Sequence, residues 1–359
     1  MDALVNRERA TCPHGGTGPK NPLVRHPTPR YHSAMSLSRR SLLNSIPFGA
    51  LAVRSLDAGV ESQSGMPLRT LGKTGARVSC VGLGCGSRLL VYEKEERAVE
   101  AIHKALSMGV NYLDSAFGYG GGKSETWVGQ AIKGRRDGLF VVTKMQERDG
   151  AKAMRVIEDS MKRLGVNQVD LIHVHSLLGA DDLAKVEAKG GLLETLYKAR
   201  EQKMCRFIGV TSHTDPVTLK AAIERHDFDC TQMALNAALV GMMNGKGGMV
   251  INKELTTSFE HIALPAALKK KMGVTAMKIF AQDGLVNAAP IDKLIRYSLS
   301  LPVAAAVLGM PKLGFMDENI AVAKSFKPLR KSEMKDLSGK LSREHKARLD
   351  LFFRDHVDA

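Results

Sequence analysis

Eight short apolar runs, each followed by an amphipathic stretch, constrain the fold of this chain more tightly than any other feature of its 359 residues. The runs are Val78 to Gly82, Tyr112 to Ala116, Phe140 to Lys144, Val169 to His175, Phe207 to Ser212, Cys230 to Leu235, Val274 to Ile279 and Ala304 to Leu308. Between and after them lie Glu95 to Met108, Glu125 to Ile132, Ala151 to Leu164, Leu192 to Glu201, Pro216 to Glu224, Ile262 to Lys271, Ile291 to Leu299 and Asp317 to Phe326. These stretches set apolar residues three and four apart, as helices with one buried face do. Several runs are apolar nearly throughout, the pattern of strands buried on both faces. Eight strand–helix units over about 250 residues predict an α/β fold of the (β/α)8 type, a TIM barrel.

Ahead of the first unit, L-R-T-L-G-K-T-G-A-R-V-S carries Gly72 and Gly75 between β-prone runs and predicts an N-terminal β-hairpin. Beyond the last, Lys331 to Ala359 predicts a C-terminal tail of one or two charged amphipathic helices packed outside, their charges solvated. The expected organisation is a leader over 1–65, a barrel over 66–330 and a tail over 331–359. Long irregular sequence from Ala237 to Thr257 would overhang the barrel mouth as a lid or substrate wall.

A hydrophobic content of 44% suffices for such a core. The net charge of +15 raises nucleic acid as a partner, but the first 65 residues hold eight Lys or Arg against four Asp or Glu, and the rest mixes both signs. Basic residues are not interleaved with aromatics as a strand-tracking groove requires, so nucleic acid is not expected and a basic cleft for a phosphorylated cofactor is. The five cysteines, Cys12, Cys80, Cys85, Cys205 and Cys230, lack C-x-x-C or zinc-ligand spacing. The last four read as small buried apolar residues.

Residues 1 to 34 are rich in Pro, Gly, His and Arg without periodicity and read as unpacked. From Met35, Arg39-Arg40 precede a moderately apolar run, Leu42 to Val53, which resembles a twin-arginine export signal. That run is too short to span a bilayer, so no stable membrane insertion is expected. The expectation is a true start at Met35, the twin-arginine export machinery as a partner, and a periplasmic or extracytoplasmic protein. The competing reading is a disordered basic leader on a cytoplasmic protein, since no sharp A-x-A site precedes Ser64.

Chemistry concentrates at the C-terminal strand ends, where such barrels carry their sites. Asn111 to Gly129 reads as strand, glycine-rich loop and capped helix start at Ser124-Glu125, with Asp114 near the strand end and Tyr119 in the loop. Lys144 ends the third strand and His175 the fourth, 30 and 31 positions on, one strand–helix unit each, so the three strand-end groups converge. An acid, a phenol, an amine and an imidazole in one mouth suit proton transfer to a carbonyl oxygen. A neighbouring ammonium lowers a phenol from its usual pKa near 10 by roughly one unit or more. Lys144 can supply that charge, Asp114 can hold it, and His175 can orient the carbonyl by a hydrogen bond.

D-S-A-F-G-Y-G-G-G-K-S-E, V-V-T-K and D-L-I-H-V-H, in this order and spacing, resemble the motifs of the aldo-keto reductase family. The resemblance covers Met66 to about Leu329, with two additional glycines after Tyr119, and selects His175 over His173. It implies an NAD(P)(H)-dependent reductase of small carbonyl compounds, or the reverse oxidation of the alcohols, with Tyr119 as general acid, Asp114 and Lys144 tuning it, and His175 orienting the substrate. It further implies that Thr211, Ser212 and Gln232 hold the nicotinamide carboxamide. Met277 and Lys278 stand where the family often has Tyr-Ser, Met277 against the nicotinamide ring and Lys278 toward the pyrophosphate. Gly309, Met310, Lys312, Glu318 and Asn319 fall in the adenosine-binding stretch. Phe315 occupies the position where many members carry an arginine for the 2′-phosphate, with Lys312 as its substitute, and NADP(H) is placed ahead of NAD(H).

Two other functions fit parts of the pattern. His173 and His175 form the H-x-H with which metal-dependent barrel hydrolases begin a metal site. The later strand ends, Ser212, Asn236, Lys278 and Met310, add only His213 nearby, so no metal is expected. A non-catalytic cofactor-sensing subunit on the same fold would keep nucleotide binding without turnover. Leu89, Tyr92 and Trp127 are the expected substrate-wall residues.

Overall fold

The computed structural model describes residues 64–241, 257–354 and 356. The expected leader with its Arg39-Arg40 pair, and most of the long loop after Leu235, lie outside the described residues.

The chain opens with a hairpin of β1 (Leu68–Thr70) and β2 (Arg77–Ser79), paired antiparallel with Leu68 opposite Ser79. Its turn contains a 3-10 segment, Gly72–Thr74, and a left-handed Gly75. The hairpin closes the N-terminal end of the barrel: Leu71 and Val78 enter the interior cluster with Tyr112 and Phe140, and the Lys73 amide donates to the Lys271 carbonyl at 2.7 Å.

Eight parallel strands follow and close on themselves. They are β3 (Val81–Gly84), β4 (Tyr112–Asp114), β5 (Phe140–Met145), β6 (Val169–Val174), β7 (Cys205–Ser212), β8 (Cys230–Ala234), β9 (Gly273–Met277) and β10 (Ala305–Leu308), with β10 pairing back onto β3. The helices are α1 (Ser87–Leu90), α2 (Glu95–Ser107), α3 (Lys123–Ile132), α4 (Gly150–Leu164), α5 (Ala180–Glu187), α6 (Leu192–Glu201), α7 (Pro216–Arg225), α8 (Phe259–Lys269), α9 (Ile291–Ser300), α10 (Leu313–Lys324) and α11 (Lys331–Arg354). None of the described helices is long and apolar enough to cross a membrane.

All eight expected strands are present, but the first run divides at Cys80 between hairpin and barrel. The Cys80 amide pairs with Pro67 at the start of the hairpin, while its carbonyl accepts from Ala306 of β10. Apolarity does not report that change of partner. The short α1 and α5 were not anticipated, because each offers too few turns for a periodic face. Cys80, Cys85, Cys205 and Cys230 are buried thiols, as expected of small core residues.

Two apolar layers result. One lies between the strands and the surrounding helices, with Ile102, Val128, Ile157, Leu196 and Leu294 in it. The other fills the barrel interior, where Tyr112, Phe140 and Phe207 stack in series at 5.3 and 6.3 Å. Glycines in the strands make room for it: a Cβ on Gly82 would lie 2.8 Å from the Tyr112 ring, and one on Gly209 2.4 Å from His173 Nδ1.

The tail has the expected amphipathic character and departs from it at two charges. As an amphipathic helix does, α11 buries Leu341, Leu349 and Phe353 and leaves Lys331, Lys335, Asp336, Lys340, Arg343, Glu344 and Arg348 exposed. Its Lys346 and Asp350, 2.6 Å apart, grip the backbone of Gly241: Asp350 accepts the Gly241 N–H at 2.8 Å and Lys346 donates to the carbonyl at 3.1 Å. Burial pushes the Asp350 carboxyl above and the Lys346 ammonium below their usual ranges. The i, i+4 pairing reads as a surface ion pair in sequence. Here it fastens the helix to the loop after β8.

The Gly209→Ala substitution tests the interior packing. The added methyl meets both the His173 ring and, at 2.6 Å, the Cys230 carbonyl, so neither β6 nor β8 can yield alone. Overpacking of this kind costs about 1–3 kcal/mol or more, and a lowered urea denaturation midpoint is expected.

Candidate active site

Strand ends on one rim of the barrel carry the titratable groups. Asp114 is the last residue of β4, Lys144 the fifth of β5, and His175 follows β6 directly. The Lys144 ammonium is 1% exposed and donates to Asp114 Oδ2 at 2.8 Å, the Ser115 carbonyl at 2.9 Å and Tyr119 Oη at 3.1 Å. All three of its donor directions are therefore used. The Tyr119 and His175 rings meet edge to face at 5.5 Å between centroids. The four residues read from the sequence thus lie together at the mouth.

Tyr119 sits on a loop of unusual backbone. Gly120, Gly121 and Gly122 have φ of 62°, 64° and 95°, three successive left-handed residues that side chains disfavour. The loop can therefore turn back sharply enough to return Tyr119 over Lys144. Ser124-Glu125 is not a cap: Gly122 stands at the N-cap position of α3, without a side-chain cap, and Ser124 and Glu125 face inward, fully buried. Cap and core uses share one composition, and only the start of the helix, at Lys123, separates them.

Below this cluster lies His173, fully buried, with neither ring nitrogen hydrogen-bonded. Burial holds its imidazole well below the usual range, with Lys144 and His175 adding to the effect, so it is neutral. Among the described residues no three His, Cys, Asp or Glu side chains gather as a metal site would need. Burial raises the neighbouring Cys85 thiol to about 12, with Asp114 adding, which makes it an unreactive wall.

A cavity of about 720 Å³, open solvent at its mouth included, runs from Asp114 and Tyr119 to Lys278 and Gly309. Its wall suits a dinucleotide. Gly84, Gly86 and Gly309 present bare backbone, Gln232 leaves its buried amide nitrogen without a protein partner, and Arg88 and Lys278 add positive charge. Arg88 pairs across the cleft with Asp283. The loop after β9 is strained, with Lys278, Ala281, Gln282 and Asp283 all left-handed.

Of the other residues assigned by resemblance, Met277 lines the cavity as well, while Thr211, Ser212, Met310, Lys312, Glu318 and Asn319 do not. The Thr211 hydroxyl accepts the Ser176 N–H at 2.8 Å, and the Ser212 hydroxyl donates to the Leu177 carbonyl at 2.7 Å, so both hold the loop after β6. Met310 is buried, its carbonyl accepting from Tyr92 Oη at 3.1 Å. Lys312 stands at the N-cap position of α10 without a side-chain cap and places its ammonium 5.5 Å from the centre of the exposed Phe315 ring; Glu318 is exposed and Asn319 buried on the same helix. Leu89 and Trp127 are buried and belong to the core cluster.

Pattern reading missed the far end of the chain. His356 Nε2 lies 2.9 Å from Lys278 Nζ and 3.2 Å from Gln282 Nε2, and the His356 carbonyl lies 3.2 Å from His213 Nε2. Phe353 packs against His213, with Lys278 Nζ 5.7 Å from its ring centre. Nothing local in the sequence marks these contacts, which join residues more than 70 positions apart.

Comparison with known proteins shows what the chain is similar to. A family model described as the aldo/keto reductase family matches residues 82–247. L-galactose dehydrogenase of Arabidopsis thaliana is 33% identical over 293 residues, covering 73% of this chain and 89% of the relative. Among solved structures, a holo aldo-keto reductase of Bacillus halodurans superposes with a TM-score of 0.60 at 22% identity, covering 77% of this chain and 96% of the other. An aldo/keto reductase of Klebsiella pneumoniae, solved with NADP and acetate, gives 0.57 at 22% identity over 76% and 94%.

Paired glycine variants probe the loop. Gly121→Ala meets no atom within 4 Å and suffers only the left-handed strain, about 1–2 kcal/mol. Gly122→Ala adds a Cβ 2.6 Å from Arg163 Nε, so its urea midpoint is expected to fall further, with a larger loss of activity.

Proposed function

Since the chain belongs to the aldo-keto reductase family, whose substrates are small carbonyl compounds, we propose that it reduces an aldehyde or ketone to the alcohol, or runs the reverse oxidation, with Tyr119 as the proton donor. The observation that carries this reading is the buried ammonium of Lys144, bonded at once to Asp114, the Ser115 carbonyl and Tyr119 Oη. When bound, NADP(H) or NAD(H) supplies the hydride. Tyr119 gives its proton to the carbonyl oxygen as the alcohol forms, and Lys144 stabilises the phenolate left behind. Asp114 and the Ser115 carbonyl keep the ammonium charged and aimed, and His175 orients the carbonyl oxygen beside the phenol.

The Gln232 amide would take the nicotinamide carboxamide, and Arg88 and Lys278 would face the diphosphate. The NADP and NADPH complexes of the Klebsiella pneumoniae proteins support placing NADP(H) first, with Lys312 beside the adenosine end. The named activity of the Arabidopsis thaliana relative puts aldoses on the substrate panel. Export through Arg39-Arg40 belongs to the same set of proposals; fractionation of cells expressing the full chain tests it, and a wholly cytoplasmic pool that an Arg39→Lys, Arg40→Lys variant does not change would overturn it.

The function is tested by titrating NADPH and NADH against Trp127, the chain's single tryptophan, while following turnover of aldehydes, ketones and aldoses. The Tyr119→Phe variant is expected to bind dinucleotide as the wild type does and to lose about 100-fold or more in kcat. Reduction by the wild type should fall at alkaline pH, where the phenol has lost its proton, while oxidation rises. Binding without turnover by the wild type would favour the cofactor-sensing role.

A further inference from the structure

The residues that follow the glycine loop form a lattice of buried bonds that the proton-transfer reading leaves unused. Ser124 Oγ donates to the Cys85 carbonyl at 2.7 Å and lies 2.8 Å from Ser115 Oγ, while the Ser115 carbonyl receives the Lys144 ammonium. The Ser124 amide donates to the carbonyl of Tyr119 at 3.3 Å. Glu125 is 0% exposed and has both oxygens occupied: Oε1 accepts from Thr143 Oγ1 at 2.5 Å, and Oε2 from Arg163 Nε at 2.7 Å. Thr143 immediately precedes Lys144. Arg163, in the last turn of α4, lays its guanidinium 4.9 Å from the centre of the Phe117 ring, two residues before Tyr119.

The Glu125–Arg163 pair therefore touches both sides of the Tyr119–Lys144 contact: through Thr143 it reaches the strand that carries the ammonium, and through Phe117 the loop that carries the phenol. A loop of three left-handed glycines has little stiffness of its own, so its position depends on such outside fastenings. We propose that Ser124, Glu125 and Arg163 are positioning residues that set the distance between the Tyr119 hydroxyl and the Lys144 ammonium, and through it the acidity of the proton donor. A buried ion pair is weak support for stability alone, because desolvation offsets much of its attraction. Holding two reacting groups at a set distance is a use that justifies its retention. Coulomb attraction falls as the inverse of distance, so widening the 3.1 Å separation by one ångström weakens it by about a quarter.

This inference rests on Tyr119 as the proton donor, and the test separates the two. Tyrosinate absorbance of the full chain is titrated with pH, and the Tyr119→Phe trace is subtracted to isolate the Tyr119 step. Glu125→Gln, which keeps the shape and loses the charge, and Arg163→Met, whose side chain is 23% exposed and should fold in any case, are compared with the wild type. Arg136→Met serves as control, since Arg136 pairs with the buried Asp170 in an equivalent way but touches neither Tyr119 nor Lys144. The expected result is a Tyr119 step raised by about one unit in both Glu125→Gln and Arg163→Met, with kcat about tenfold lower. KM for carbonyl and dinucleotide should stay within about twofold, and Arg136→Met should lower the melting temperature without moving the step. A step that stays in place in Arg163→Met and Glu125→Gln, with only thermal stability reduced, would leave the pair a structural brace and overturn the proposal. A wild type with no Tyr119 step below the ordinary tyrosine range would overturn the proton-donor reading and this inference with it.

Discussion

One buried charge organises the mouth of this barrel. The Lys144 ammonium is almost fully removed from water, and an ion so placed is tolerated only with opposite charge and hydrogen bonds around it. Asp114, the Ser115 carbonyl and the Tyr119 hydroxyl meet that need, and each comes from a different part of the same strand–loop–helix unit. Strand pairing does the coarse placement: Asp114 lies opposite Val142 on β5, two residues before Lys144, so the lysine side chain starts within reach of the carboxylate. The glycine loop then does the fine placement by returning Tyr119 over the strand end. Stability and chemistry are thus tied at one atom, the Lys144 nitrogen.

The two ends of the barrel are closed by the two ends of the described chain. At the strand N-termini the β1–β2 hairpin inserts Leu71 and Val78 beneath the aromatic stack. At the other rim α11 fastens Gly241 with Lys346 and Asp350, and the residues after it reach His213, Lys278 and Gln282. The loops after β7, β8 and β9 are therefore tied by one helix, which braces the strained Lys278–Asp283 segment along the cavity wall. Of a tail whose charges are mostly solvated, Lys346 and Asp350 turn inward and fasten the loop after β8.

How much of this was legible in the sequence follows from the range of the contacts. The eight strands and the clustering of Asp114, Tyr119, Lys144 and His175 were readable because one strand–helix unit recurs about every 30 residues and strand ends inherit that period. Local partner changes were not: Cys80 divides one apolar run between two sheets, and Ser124-Glu125 turns inward while looking like a helix cap. Thr211 and Ser212 matched a family motif, yet their hydroxyls hold the backbone of the loop after β6, a role that a motif cannot distinguish from ligand binding. The Arg88–Asp283 pair and the His356 contacts span long loops and leave no periodic mark at all.

The central claim is that the buried ammonium makes the phenol an effective proton donor and acceptor. The most direct measurement is the pH profile of alcohol oxidation by Lys144→Met at saturating dinucleotide, with dinucleotide affinity measured separately. The account predicts at least a 100-fold loss of kcat near neutral pH, partly recovered as pH rises toward the phenol's own ionisation near pH 10, with dinucleotide affinity little changed. A profile that superimposes on that of the wild type would contradict it, and would leave Lys144 a structural ion with the proton passing through another group.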